Sequence, residues 1–336
     1  MAWIPLLLLI LLVGSACPAI ADYSTHPGAR ALIDELVQKH RFERAELVTL
    51  FSGAQKQDKI LESISKPAEK TMPWHRYRTI FLGDDRIREG VVFWDQNQAA
   101  LDQAHKTLGV APEYVVAIIG VETRFGQHRG AWRVLDALAT LAFDYPPRSA
   151  FFRSELIQFL LLAREENKAA ETLMGSYAGA MGYGQFISSS YRHYAIDFDG
   201  DGARDIWANT TDAIGSVANY FSKHGWQGGL PLIVDVAEPS ANLQALISTN
   251  PEPANTLEQV RQAGFPTHAE LAGDTPVAVL SFEHADGVRP AVVFRDFYVI
   301  TRYNHSPLYA RAVHELAMAI REQRNMKPAA DAVARQ

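Results

Sequence analysis

The chain is poor in the features that would place it quickly. Of its 336 residues one is cysteine, Cys17, and it lies near the N-terminus. No internal disulfide can therefore form, and a folded state must rest on a core, which a chain of this length is able to bury. There is no basic block, and the formal net charge is −6, which gives a nucleic-acid partner no electrostatic support. His128, His193 and His224 show no zinc-type spacing, and neither a Gly-x-Ser-x-Gly elbow nor a phosphate-binding P-loop occurs. No internal repeat is evident. The one long apolar run, Ile4 to Val13, is too short to span a bilayer.

That run has a different use. Followed by Ala19-Ile20-Ala21 before Asp22, it reads as a secretory signal over residues 1–21, although the segment ahead of it lacks Lys and Arg. Gly14-Ser15-Ala16-Cys17 loosely matches a lipoprotein box, so a lipid on Cys17 is the alternative, and it is the only route to a membrane. We favour cleavage after Ala21.

Apolar residues recur at helical spacing over 31–50, 55–64, 86–108, 149–166, 212–223 and 307–324. Pro112 and Gly126 suit the start and end of a further helix. Residues 167–191 are rich in Gly, Ala and Ser and read as a loop beside a short helix. From Gly228 to about Phe294, short runs at 232–236, 277–282 and 291–294 lie between turn residues and read as strands. The fold class is mainly α (α+β), with one small β-containing insertion.

Three constellations carry chemistry. In Ala111 to Gly126, no charged residue occurs between Tyr114 and Val121, and Glu122 closes the run. Burial and the negative end of a helix dipole both disfavour its ionised form, which is what a general acid needs. On this motif alone a structural ion pair with Arg124 or Arg133 is an equally good reading. In Gly175 to Tyr191, small residues let backbone approach a ligand closely. There Tyr177, Tyr183 and Phe186 can offer flat faces to a sugar, and Ser176 and Gln185 can hydrogen-bond to it. A packing loop between helices is the plainer reading of that segment alone.

The third is Asp197 to Asp205. Asp197, Asp199, Asp201 and Asp205 occupy positions 1, 3, 5 and 9 of an EF-hand-like loop, with Gly202 at the turn and the Ala203 carbonyl available. Hard oxygen ligands in this pattern suit Ca²⁺. Position 12 is Ala208 instead of Glu, and the next acid, Asp212, comes four residues later, so the loop is longer than the standard one.

Taken together the residues resemble the membrane-bound lytic murein transglycosylase B family. The match runs through Pro67-Ala-Glu-Lys70, Pro73-Trp-His-Arg-Tyr77, Ile119 to Gly126, Val134 to Arg148, Gly175 to Gly182, the Asp-rich loop, Asn219-Tyr-Phe221 and Tyr298 to Ser306. It implies a lysozyme-like catalytic core over 111–227 with a calcium loop at 197–212. It also implies a helical domain over 22–110 joined by the helix 307–324, a small β-containing domain over 228–296, a return to the core at 297–306, and a tail at 325–336. It places the catalytic acid/base on Glu122, and glycan contacts on Ser176, Tyr177, Met181, Gln185, Phe186, Tyr303 and Asn304. Structural Ca²⁺ would be held by Asp197, Asp199, Asp201, Ala203, Asp205 and Asp212, with no organic cofactor.

The resemblance implies cleavage of the β-1,4 bond between N-acetylmuramic acid and N-acetylglucosamine, with a 1,6-anhydro product. The partners would be peptidoglycan glycan strands and cell-wall synthesis proteins, in the periplasm of a Gram-negative cell. A hydrolytic muramidase and a non-catalytic glycan binder are the alternatives. In one loop the family usually reads Gly-Leu-Pro-Gln-Phe-Met-Pro-Ser-Ser, where this chain has Gly182-Tyr-Gly-Gln-Phe-Ile-Ser-Ser-Ser190. Both stiffening prolines are missing.

Overall fold

The computed structural model describes residues 22–65, 72–265 and 270–333. The signal segment with Cys17, the Pro67–Lys70 motif and residues 334–336 lie outside them. Among the described residues no helix is long and apolar enough to cross a membrane.

The helix Pro112–Thr123 is the axis of the molecule. Pro112 sits in its first turn, where a missing N–H costs nothing. Every residue from Glu113 to Gly120 is buried. A helix apolar all round has to be enclosed, and four others enclose this one: Asp84–Gln96, Gln98–Leu108, Thr210–Lys223 and Pro307–Val333. Glu122 thus emerges at the end of the most deeply packed element.

Two of the expected helices are interrupted. Over 31–50 the chain forms Pro27–His40 and Arg44–Ser52, separated by Arg41 in a left-handed conformation (φ 58°). Over 86–108 it breaks at Asn97, whose side-chain amide donates to the Phe93 carbonyl (2.8 Å). An Asn side chain offers the backbone such an alternative to continued helix. The C-terminal helix does not stop near 324 but runs on to Val333, so most of the expected tail is helical.

Among the described residues, two of the helices lying outside the expected ones bear on the site. Val134–Asp144 is buried from Val134 through Ala142, and its polar stripe is turned inward, with Asp136 and Thr140 accepting the Gln55 and Gln57 N–H groups. Arg295–Tyr303 follows directly on a strand with no linking loop, and at nine residues it spans under three turns.

The β-containing part is an antiparallel sheet in the spatial order Ile233–Asp235, Gly287–Phe294, Pro276–His284, Asn255–Thr256. Its central hairpin pairs Val277 with Phe294 and Leu280 with Ala291. Both of its faces are buried. Ala278, Leu280, Phe282, Ala291 and Val293 join the main core, while Val277, Val279, Val292 and Phe294 close a separate small core with Leu243, Leu257 and Val260. This accounts for the unbroken apolar runs in these strands.

Candidate active site

The chain turns sharply just beyond Glu122. Arg124, Phe125 and Gly126 all have positive φ (49°, 58° and 88°). The Arg124 N–H bonds the Gly120 carbonyl, and the Phe125 N–H bonds that of Ile119. This is a left-handed helix ending, which satisfies carbonyls the helix would otherwise leave open. Gly120 is required for it, because a Cβ there would lie 2.7 Å from the returning Phe125 ring.

Glu122 itself is half-buried. Neither arginine proposed as its ion-pair partner is directed to it. Arg124 holds Glu89 through two bonds (2.6 and 2.7 Å), and Arg133 holds Asp136 and the Gly53 carbonyl. Instead the Tyr309 phenol donates to Glu122 Oε1 at 2.5 Å. Burial, and next the Glu122 charge, push the Tyr309 phenol well above its ordinary pKa, so it remains a donor. The Tyr303 phenol is pushed up for the same two reasons, burial first and then the Glu122 charge. Tyr309 escaped the sequence reading. Its partner lies 187 residues away, and no spacing reveals a pairing at that range.

The Gly-rich loop is fastened to the Glu122 helix through the adjacent residue. The Thr123 hydroxyl donates to the Tyr183 carbonyl (2.9 Å) and accepts from the Gly126 N–H (3.0 Å). From the other side the Tyr303 hydroxyl donates to the Gly184 carbonyl (2.5 Å). The Ser176 hydroxyl accepts the Ala178 and Ala180 N–H groups, folding the loop on itself. The Gln185 side-chain amide donates to Gly182 and Arg129 carbonyls, leaving its oxygen as the acceptor it presents.

The structure separates the sugar-facing candidates into two groups. Tyr177 is 42% exposed, and Ser176, Tyr183, Gln185, Tyr303 and Asn304 are half-buried. Met181 and Phe186 are 0% and 3% exposed and belong to the main core. Phe186 therefore offers no open face to a sugar. It packs beneath the loop against Tyr220 and Tyr303, and its backbone pairs with that of Met181.

The acidic loop lies next to this wall. The Tyr183 N–H bonds the Ile206 carbonyl (3.0 Å), and the Arg129 guanidinium, stacked on Tyr183, donates to the Trp207 carbonyl. Carboxylate oxygens of Asp197, Asp199, Asp201 and Asp212 converge within 4.8 Å of one another. Ca²⁺–oxygen distances of about 2.3–2.6 Å put opposed ligands roughly 4.6–5.2 Å apart, so the group fits that ion. Asp212 comes from the first turn of the helix Thr210–Lys223 and is fully buried. Burial, and then the charges of Asp199 and Asp197, raise its pKa against the pull of the Phe198 and Asp205 N–H groups.

Asp205 departs from its expected place as a ligand. Its carboxylate caps the Trp207 and Ala208 N–H groups and meets Lys168 at 3.5 Å. Asp212 takes the closing position that Glu holds in the standard loop. Ala203 follows the cluster, its N–H bonded to Asp201 (2.9 Å). A cleft of about 770 Å³ between the helix Arg44–Ser52 and the end of Ser149–Glu165 contains none of these candidate residues.

Comparison with known proteins places this arrangement. A family profile described as the transglycosylase SLT domain matches residues 24–318. The chain is 42% identical over 308 residues to membrane-bound lytic murein transglycosylase B of Escherichia coli K12, covering 89% of this chain and 84% of that protein. Among solved structures, soluble lytic transglycosylase SltB1 of Pseudomonas aeruginosa is 45% identical with a TM-score of 0.84, covering 89% of this chain and all (100%) of that one. The Escherichia coli lytic transglycosylase Slt35, solved in complex with calcium, is 42% identical with a TM-score of 0.81, covering 90% and 95%. Pseudomonas aeruginosa SltB3, solved with NAG-NAM-pentapeptide, is 30% identical with a TM-score of 0.78, covering 87% and 78%.

Proposed function

The chain belongs to the transglycosylase SLT domain family and is a lytic murein transglycosylase with a lysozyme-like fold, an enzyme that cleaves peptidoglycan by transglycosylation; from that premise we propose that Glu122 carries out the reaction alone, as acid and then as base. The observation that carries this reading is the placement of Glu122. It is half-buried at the end of an enclosed helix, both candidate arginines are engaged elsewhere, and a phenol holds one carboxyl oxygen.

Protonated Glu122 gives its proton to the oxygen of the β-1,4 bond between the muramyl and glucosaminyl residues. The bond breaks and the muramyl C1 becomes oxocarbenium-like. Glu122, now a carboxylate, takes the proton of the muramyl C6 hydroxyl, and that oxygen closes a 1,6-anhydro ring on C1. Tyr309 holds Oε1 in place through both halves. Its hydrogen bond favours the carboxylate, which suits the second half. Two-carboxylate glycosidases deliver water or a nucleophile from a second acid. Glu89, on the neighbouring helix, is held by Arg124 and Gln127, and the Arg124 bond keeps its pKa below the ordinary carboxylate range.

Ser176, the Gln185 oxygen, Tyr177, Tyr183, Tyr303 and Asn304 form the glycan-facing side of the loop, and Met181 and Phe186 support it from below. Asp197, Asp199, Asp201 and Asp212 would hold Ca²⁺, which when bound neutralises their mutual repulsion and stiffens the loop wall. Slt35 has been solved with calcium, and SltB3 with a muropeptide, which supports both assignments. We place the mature protein in the periplasm, on the glycan strands. The test is digestion of purified peptidoglycan with mass analysis of the products. Anhydromuramyl ends, one water lighter than hydrolytic ends, are expected, and Glu122→Gln should abolish them.

A further inference from the structure

Gln185 has φ 50°, in the left-handed region that residues with a Cβ rarely adopt. Such conformations persist where the surroundings over-determine them, and they cluster at functional sites. The easiest release is the rotation of one peptide plane. Turning the Gly184–Gln185 peptide changes ψ of Gly184 and φ of Gln185 together, and Gly184, without a Cβ, resists it least. That rotation would carry the Gly184 carbonyl away from the Tyr303 hydroxyl, which donates to it at 2.5 Å. The Tyr303 ring is itself packed among Phe186, Tyr220 and Phe221, and Gly184 is buried, so a freed carbonyl would have little water to turn to. A Cβ on residue 184 would lie 2.7 Å from the hydroxyl, so the glycine also makes the room for this bond.

One residue earlier the arrangement repeats. The Tyr183 carbonyl accepts from the Thr123 hydroxyl at 2.9 Å, and Thr123 is 1% exposed and adjoins Glu122 in the chain. A hydroxyl has one hydrogen to give. Its other acceptor, the Ile119 carbonyl at 3.1 Å, already receives the Phe125 N–H, whereas the Tyr183 carbonyl has no other donor among the described residues. Two successive carbonyls of the loop are therefore gripped by two hydroxyls. One stands on the Glu122 helix and the other ends the helix Arg295–Tyr303.

What the grip fixes is the Gln185 side chain. Its amide nitrogen donates to the Gly182 and Arg129 carbonyls at 3.0 and 3.3 Å, which turns its oxygen the other way. Among the described residues nothing donates to that oxygen, and it is not closed off from solvent. We infer that Thr123 and Tyr303 are positioning residues: their hydroxyls hold the Tyr183 and Gly184 carbonyls, keep Gln185 left-handed, and so set its oxygen in register with Glu122 to accept from an N–H or O–H of the glycan. This rests on the glycan-cleavage reading above.

The test is a set of double-mutant cycles with purified glycan strands as substrate. Tyr303→Phe and Thr123→Val each remove a hydroxyl with almost no change in volume, and Tyr303→Phe keeps the ring with any glycan contact it makes. Gln185→Ala removes the oxygen that the hydroxyls position. Each single change should lower kcat/KM by about 10- to 100-fold. Added to Gln185→Ala, neither hydroxyl change should lower it by more than about a further twofold, because groups that act through one residue are not additive. Thr123→Ser keeps the hydroxyl and should stay within about threefold of the unaltered enzyme. Additive losses overturn the inference, since the hydroxyls would then act on the glycan directly or on the fold at large. So does a Thr123→Ser as impaired as Thr123→Val, or a kcat/KM within about twofold for both hydroxyl variants. If Thr123→Val fails to fold, the Tyr303 cycle alone decides. Additive losses with an inactive Glu122→Gln remove the positioning role and leave the catalytic reading standing. Turnover retained by Glu122→Gln removes that reading, while non-additive losses would still uphold the grip on Gln185.

Discussion

Asp212→Asn separates the cost of assembling the acidic cluster from the stability calcium returns. Asp212 is fully buried, bonds the Phe198 and Asp205 N–H groups at 2.8 Å each, and brings a carboxylate oxygen within 4.8 Å of those of Asp197, Asp199 and Asp201. Two unit charges at 4.8 Å repel by about 0.9 kcal/mol even at the dielectric of water, or roughly 3 kcal/mol over the three partners. Asn relieves that repulsion but turns one of the two acceptors into a donor facing an N–H, at a cost of about 1–3 kcal/mol. In chelator the two effects nearly cancel, so enzyme and variant should melt within about 2 °C of each other. Calcium at 100 times its Kd stabilises the unaltered protein by about 2.7 kcal/mol. In a chain of this size that is an increase of about 5 °C in Tm. The variant, lacking the closing ligand, should show less than half of that increment. The assay is thermal unfolding of both proteins in chelator and in a calcium series. An equal calcium increment in both, or none in the unaltered protein, would refute the assignment of Asp212 as a ligand.

Three further perturbations probe the rest of the site. Tyr309→Phe removes the donor to Glu122 Oε1 with almost no change in volume; a charge-assisted bond of about 1.5–3 kcal/mol predicts a fall of roughly 10- to 100-fold in kcat in steady-state assays, with Tm little changed. Gly184→Ala would set a Cβ 2.7 Å from the Tyr303 hydroxyl and 2.9 Å from Val217, so it should cost about 1–3 kcal/mol in urea unfolding and lower turnover as the loop shifts. His314, enclosed near Arg311 and Arg321, is lowered by burial first and by those charges next, from 6.5 to about 4. Its folded form resists protonation while its unfolded form accepts it, so stability is held above pH 6.5 and is lost as pH falls toward about 4, by about 3 kcal/mol at most. His314→Asn should flatten the stability profile in that window, and an unchanged profile would exclude His314 as its cause.

What was legible in the sequence was whatever has a period or a spacing. The helices with one polar face, the strand runs and the acids of the 197–212 loop all register in one dimension. Glu122 registered because a charge interrupts an apolar run. The helix Val134–Asp144 carries its polar residues at helical spacing, but they face inward, where Asp136 and Thr140 hold the Gln55 and Gln57 N–H groups, a contact 81 and 83 residues distant that no local pattern marks. Asp205 was misplaced for a related reason: the spacing fits the loop, but Lys168 and two N–H groups compete for its carboxylate, and Lys168 is 37 residues earlier. Phe186 looked like a sugar platform because an aromatic in a Gly-rich loop is open in sequence, whereas Tyr220 and Tyr303 enclose it in space. The missing prolines at 184 and 188 also look different in three dimensions. Gly184 is held through its carbonyl by Tyr303, and the backbone next to Ser188 is held by the Glu155 carboxylate at the Ser189 N–H. Side-chain bonds hold the loop at both positions.

The central claim is that one carboxyl, Glu122, is both the acid and the base of an intramolecular ring closure. The most direct measurement is the mass of muropeptides released from purified peptidoglycan by the unaltered enzyme and by Glu122→Gln. The account predicts 1,6-anhydromuramyl ends from the enzyme and no release from a folded Glu122→Gln. Reducing ends one water heavier, or anhydro products at an undiminished rate from the variant, would contradict it.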